Sequence, residues 1–190
     1  MKDIDLRVKL DAAKAARDRL KKLLDERQQI EARKEADRKR EEEALRALVS
    51  KWRNVPKAGR DAYNSVKRIQ ARIEIGVNQA QYAEVVGQVW AEVKGFVDSP
   101  GGKEFGELTY VLLMVMEEYR SAAKFFHEEL IVQTSWHAAS VILQDADELM
   151  STDLNEKVLA QRVSCIRSQM ESKAKREPSR RERVNATESE

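Results

Sequence analysis

Residues 3–53 read DIDLRVKLDAAKAARDRLKKLLDERQQIEARKEADRKREEEALRALVSKWR. The run holds no Pro and no Gly and is rich in Ala, Leu, Lys, Arg and Glu, the strongest helix formers. It predicts one helix of about 50 residues, roughly 75 Å long at 1.5 Å per residue. Leu6, Leu10, Ala13, Leu20 and Leu24, with Leu23 beside them, fall near a heptad spacing and make a narrow apolar seam. Arg17 and Arg27 interrupt it, so the seam is weak on its own. Leu6, Leu10, Leu20 and Leu24 are the candidate oligomer seam. From Glu31 to Glu43 eleven of thirteen residues are charged and only Ala32 and Ala36 are apolar, which leaves no core face. Opposite charges recur four apart there, as Arg33–Asp37, Glu35–Lys39, Arg38–Glu42 and Lys39–Glu43, and each pair supports the helix by about 0.2–0.5 kcal/mol. Apolar spacing resumes at Ala44, Leu45, Leu48, Val49 and Trp52, and Pro56 with Gly59 ends the element.

A compact body of about 100 residues has a radius of gyration near 13 Å, so a helix this long must project, fold back or pair with something; projection is the expectation. Beyond Pro56 the period stays helical. Ala62, Val66, Ile69 and Ile73 share one face of a helix that Gly76 stops, and Asn78 with Gln81 reads as a capping box for the next. That helix carries Tyr82, Val86, Val89, Val93 and Phe96, and Asp98-Ser-Pro-Gly-Gly102 closes it. A long apolar-rich helix follows from about Lys103, with Phe105, Leu108, Leu112, Val115, Met116, Tyr119, Ala123, Phe126 and Leu130, and continues or bends near Thr134-Ser135. Trp136, Val141, Ile142 and Leu143 lie beyond it. Asp153 and Glu156 pair as the cap of a last helix with Leu154, Val158, Val163, Ile166 and Met170. The fold class is therefore all-α: a compact helical bundle over 56–172, a coiled-coil-like charged arm over 1–55, and a polar, aperiodic tail over 173–190 that is expected to be disordered.

One spacing inside the bundle stands out. Ala83, Gly87, Ala91 and Gly95 recur every four residues. An interior Gly costs about 1 kcal/mol relative to Ala, so two of them imply compensation. Small residues at this interval form a shallow groove that a second helix can approach closely. Packing inside the bundle is the expected use, and docking of a partner's helix is the alternative.

Of 190 residues 42% are hydrophobic and 36% charged, well above the usual quarter for charge. The single Cys165 forms no internal disulfide, which excludes a disulfide-stapled secreted scaffold. The longest uninterrupted apolar run, Val111 to Met116, is far short of the ~20 residues of a membrane span. The first residues lack the apolar segment of a signal peptide, so a cytoplasmic protein is expected, or an envelope-associated one if the start has been trimmed. The net charge of +2 hides a division. Residues 1–60 carry a net +7, residues 61–150 a net −7 and residues 151–190 a net +2. The arm's acidic residues are finely interspersed with its basic ones, which favours solubility and intramolecular attraction over an acidic partner.

Catalytic chemistry finds little support. A di-iron bundle site needs Glu-x-x-His pairs, but Lys124 and Thr134 stand three residues before His127 and His137. His127, His137 and Cys165 lie on separate stretches, so no zinc set forms. His137 reads as a half-buried helix residue, His127 as a residue of the bundle edge and Cys165 as a small buried hydrophobe. Gly101-Gly-Lys103 lacks the first Gly and the Ser or Thr of a phosphate loop. Glu117-Glu118 and Glu128-Glu129 point to different helix faces and read as solvated acidic surface. Asn185-Ala-Thr187 matches a glycosylation acceptor without the context that would make it one. No catalytic residue, metal ligand or cofactor is assigned. The arm and Arg180-Arg181 could meet phosphates, but no helix-turn-helix and no unbroken basic stripe is present, so nucleic-acid binding would be non-specific at most.

Ile73-Glu-Ile-Gly-Val-Asn-Gln-Ala-Gln-Tyr82 and Tyr119-Arg-Ser-Ala-Ala-Lys-Phe-Phe126 resemble a type of helical domain in uncharacterised bacterial proteins, over roughly residues 45–132. The resemblance implies a charged spacer before the domain and an exported or membrane-tethered location, from which this chain departs by lacking an export signal. It implies no activity.

The expectation is a non-enzymatic protein whose arm presents or oligomerises the body, with a protein partner: a second copy or another helix. One alternative is a binding module with a pocket near Trp90, Tyr119, Phe126 and Trp136. The other is a weak binder of nucleic acid or an anionic surface through the basic arm.

Overall fold

The computed structural model describes the backbone of residues 2–151 and 155–187 and the side chains of residues 10–151 and 155–175. Among the described residues there are seven helices and no strand, the all-α bundle and long N-terminal helix that the periodicity predicts. The helices are α1 (Lys2–Arg53), α2 (Lys57–Ile75), α3 (Gln79–Val97), α4 (Pro100–Glu104), α5 (Gly106–Lys124), α6 (Glu129–Met150) and α7 (Glu156–Thr187). The chain divides into two units, Met1–Arg46 and Ala47–Glu190.

The body therefore begins at Ala47 and not at 56. The reason is burial: Val49, Trp52 and Val55 belong to its core, and Trp52 meets Phe105 edge to face at 5.4 Å. The Trp52 indole N–H is buried without a hydrogen-bond partner. α1 ends where the Asn54 side chain donates to Ser50 O at 2.8 Å, and Lys51 Nζ donates to Glu104 O at 2.7 Å. Pro56, in extended conformation, opens α2, since a missing N–H costs nothing at a helix start.

α2 and α3 pack together across the turn at Gly76, whose φ of 93° is a conformation that side chains with a Cβ resist. The Asn78 side chain accepts the Gln81 N–H at 3.0 Å and starts α3 as expected. α3 buries Tyr82, Val86, Val89, Val93 and Phe96, and Ser99 caps the single turn α4 by accepting from Gly102 N at 3.1 Å. α5 is the centre of the body: it packs against α2, α3, α4, α6 and α7, and Leu108, Leu112, Val115 and Met116 are fully enclosed.

The long helix expected from Lys103 is in fact three. It breaks at Phe105 and again at Phe125–Glu128, and no bend occurs at Thr134-Ser135, which lie inside α6. The second break lets α6 return along α5 and turns Phe126 toward Tyr82, at 5.5 Å between ring centres. It also changes the helical phase, so Leu130 and Val141, expected on the apolar side, are exposed.

The Asp153 part of the expected last cap lies outside the described residues. The Asn155 side chain does that work, accepting from Lys157 N at 3.0 Å. α7 buries Leu159, Val163 and Ile166, at i, i+4 and i+7. Val158 and Cys165 fall off that stripe and are exposed, which corrects the reading of Cys165 as buried. α7 also runs through Pro178 to Thr187 where a disordered tail from 173 was expected; Lys, Arg, Glu and Ala there keep a helical preference that one Pro does not end.

Candidate functional site

In the unit Met1–Arg46 every described residue from Leu10 to Ala44 is exposed. A helix with no apolar neighbours is held by its own propensity and by ion pairs one turn apart. Arg27 and Glu31 approach to 3.2 Å, Arg38 and Glu35 to 3.0 Å. Two of the four expected pairs, Glu35–Lys39 and Arg38–Glu42, close at 3.8 Å, while Asp37 meets Arg40 at 3.7 Å.

Large apolar side chains stand out against this charged surface. Leu10 is 56% exposed, Leu20 67%, Leu23 61%, Leu24 57% and Ile30 53%. Isolated exposed leucines are ordinary, but five large apolar residues within 21 positions of one helix are a patch. The side chain of Leu6, the fourth seam residue, lies outside the described residues. Ile30 lies beside the seam, one heptad after Leu23 and on the same flank.

The small-residue stripe does not serve the interior of the bundle. Ala83, Gly87, Ala91 and Gly95 are all exposed, and a Cβ placed on Gly87 or Gly95 would meet nothing within 4 Å. The core face of α3 is the stripe from Tyr82 to Phe96, on the other side of the helix. The two glycines thus cost helix stability with no compensation from packing in the body. Gly87→Ala and Gly95→Ala should each stabilise the protein by about 0.5–1 kcal/mol, read from denaturant midpoints. A loss of stability from either would show that the open face is not open.

Trp90, Tyr119 and Trp136 lie on α3, α5 and α6, and Phe126 lies in the turn between the last two. Tyr119 is buried, and the other three are half-buried. Tyr82, not among the expected residues, is the hub: its hydroxyl donates to Tyr119 O at 3.1 Å and accepts the Trp136 indole N–H at 3.0 Å. Phe126 and Trp136 each pack on the Tyr82 ring. Trp90 instead stacks under the Arg120 guanidinium at 4.6 Å, on the outside of the cluster. Burial raises the Tyr119 hydroxyl to about 12 and raises Tyr82 as well, so both stay protonated and neither is a base at neutral pH. These contacts hold three elements together.

Polar contacts tie α7 to α5 and α6 and tie α2 to α6, and sequence spacing carries no sign of them because their partners lie far apart in the chain. Arg162 of α7 bridges Asp145 at 2.7 Å and Glu148 at 2.5 Å on α6. Arg167 meets the buried Glu107 of α5 at 2.6 Å. Tyr63 donates to Asp147 at 2.6 Å, and Lys67 joins the same carboxylate at 3.0 Å. Burial raises the Asp145 carboxyl, against the opposing pull of Arg162.

A shallow groove of about 540 Å³ lies along α5 and α7, lined by Tyr110, Cys165, Ser168, Gln169, Ser172 and Lys173. His127 and His137 are both exposed, so His137 is not the half-buried residue expected, and His127 lies 3.6 Å from Glu128. Among the described residues no group of three His, Cys, Asp or Glu side chains is placed to hold a metal ion, and no helix is long and apolar enough to cross a membrane. No protein family matches this chain, and no curated protein or solved structure was found to resemble it.

Proposed function

We propose that this protein is a non-enzymatic interaction protein in which the α1 arm joins copies of the chain through its apolar seam and so brings helical bodies together. The observation that carries the reading is the run of exposed Leu10, Leu20, Leu23, Leu24 and Ile30 on an otherwise charged helix. Exposed apolar surface is costly in water, and pairing with a second helix of the same pattern removes it. The mixed-sign charges along the arm favour a helical protein partner over a polyanion, since acidic residues interleave with every basic group.

Light scattering on the full chain over a range of concentrations tests this. A mass rising toward twice that of the chain is expected. A chain mass that stays monomeric throughout would overturn the proposal.

A further inference from the structure

The flanks of the seam carry information about direction. With Leu10 and Leu24 at heptad position a and Leu20 at d, position g is occupied in turn by Lys9, Ala16, Leu23, Ile30 and Asp37. Position e is occupied by Arg7, Lys14, Lys21, Gln28, Glu35 and Glu42. Both flanks therefore run from basic at the start, through neutral or apolar residues, to acidic at the end.

In a parallel, in-register pair each g residue faces the e residue five positions on in the second copy. That sets Lys9 against Lys14 and Asp37 against Glu42, like on like, and leaves the exposed Leu23 and Ile30 facing Gln28 and Glu35. In an antiparallel pair g faces g and e faces e. Centred between Leu20 and Leu24, that arrangement sets Lys9 level with Asp37 of the second copy and Arg7 level with its Glu35. It also sets Ala16 beside Ile30 of the second copy and Leu23 beside Leu23. In the seam itself Leu20 layers on Leu24, Arg17 falls level with Arg27, and Leu10 and Leu6 fall level with Lys34 and Arg38, while Lys21 comes beside Lys21 on the flank. The parallel pair layers each seam leucine on its own counterpart, but it also stacks Arg17, Arg27, Glu31, Lys34 and Arg38 each on itself, so the charges of the seam oppose it. A second antiparallel register, centred near Ala15, would layer Leu10 on Leu20 and Leu6 on Leu24, but it sets Lys14 on Lys14 and Lys21 on Arg7 and leaves Ile30 uncovered.

We infer that the partner of the arm is a second copy of this chain lying antiparallel to it, centred between Leu20 and Leu24, a surface that charge complementarity and the exposed Leu23 and Ile30 together define. The inference rests on the proposed self-association. In such a pair the two Arg46 ends lie about 70 Å apart along the axis, at 1.5 Å per residue.

Disulfide trapping tests the direction on the full chain, with Cys165→Ser removing the native thiol. Ala13→Cys and Glu31→Cys are made in separate chains, since these positions come level in the inferred pair and replace no seam leucine. The mass of each chain is measured first, under reducing conditions; a monomer at this point overturns the self-association itself. If the chains associate, oxidation of the mixture is expected to give a crosslinked dimer, while either chain alone gives none, because its two thiols lie far beyond the roughly 7 Å that a disulfide spans between Cα atoms. Crosslinking of Ala13→Cys with itself would overturn the antiparallel direction while leaving self-association standing. Crosslinking of Ala13→Cys with Arg17→Cys, and not with Glu31→Cys, would overturn the register.

Discussion

The double substitution Leu20→Lys and Leu24→Lys is expected to leave the full chain monomeric at concentrations where the parent associates. Burying a leucine contributes about 1.5–3 kcal/mol, and a dimer loses four such side chains and gains four positive charges in one place. The association constant should therefore fall by at least about 1,000-fold, a difference of roughly 4 kcal/mol. Lysine keeps a high helix propensity, and both leucines are more than half exposed in the single chain, at 67% and 57%. Helix content by circular dichroism and the melting temperature of the body should accordingly stay unchanged. Association that survives the substitution would show that the apolar seam is not what joins the copies.

The second large effect is expected from a single methyl group. A Cβ on Gly102 would press into the carbonyl oxygen of Phe96 and lie 2.8 Å from that of Val97. These are backbone atoms at the end of α3, and no side-chain rotation relieves the clash. Gly102→Ala should cost about 2–3 kcal/mol, as overpacking of a fixed core does. A melt of the full chain should show it as a drop of several degrees, at about 2–4 °C per kcal/mol for a body of this size. The contrast with Gly87 and Gly95, where the same methyl meets open space, makes the three variants one experiment on where the backbone is crowded. An unchanged melting temperature for Gly102→Ala would mean that the α3–α4 junction is loose.

What could be read from the chain follows from which forces are local. Helix α1, the Gly76 turn and the Asn78 cap depend on residues within a few positions of one another, and each is where its sequence signal lies. The core positions Val66, Ile69, Tyr82, Val86, Leu108, Leu112 and Tyr119 follow from the 3.6-residue period alone. The break at Phe125–Glu128 has no Gly or Pro to announce it. It arises because packing α6 back along α5 outweighs the helix preference of a short segment. For the same reason the phase of α6 does not continue that of α5, and Leu130 falls on the exposed side. The small-residue stripe of α3 lies on the side of the helix away from the Tyr82–Phe96 face, so the period that identifies the core face also places the stripe outside it. Tyr82 was legible as core but not as the hub of the aromatic group, since its partners lie 37 and 54 residues away.

The way α7 is attached has a consequence for the order in which the body opens. α5 buries side chains from Glu107 to Ala122, whereas α7, among its described residues, offers Leu159, Val163 and Ile166 with the half-buried Met170 to the core and is otherwise moored by Arg162 and Arg167. Dissolved ions weaken charge pairs that are partly open to water and leave apolar contacts nearly untouched. The body is thus built with a fast-opening segment at its end and a slow one at its middle. Amide hydrogen exchange should find α7 trading its protons well ahead of α5, with the interval between them widening as salt is added.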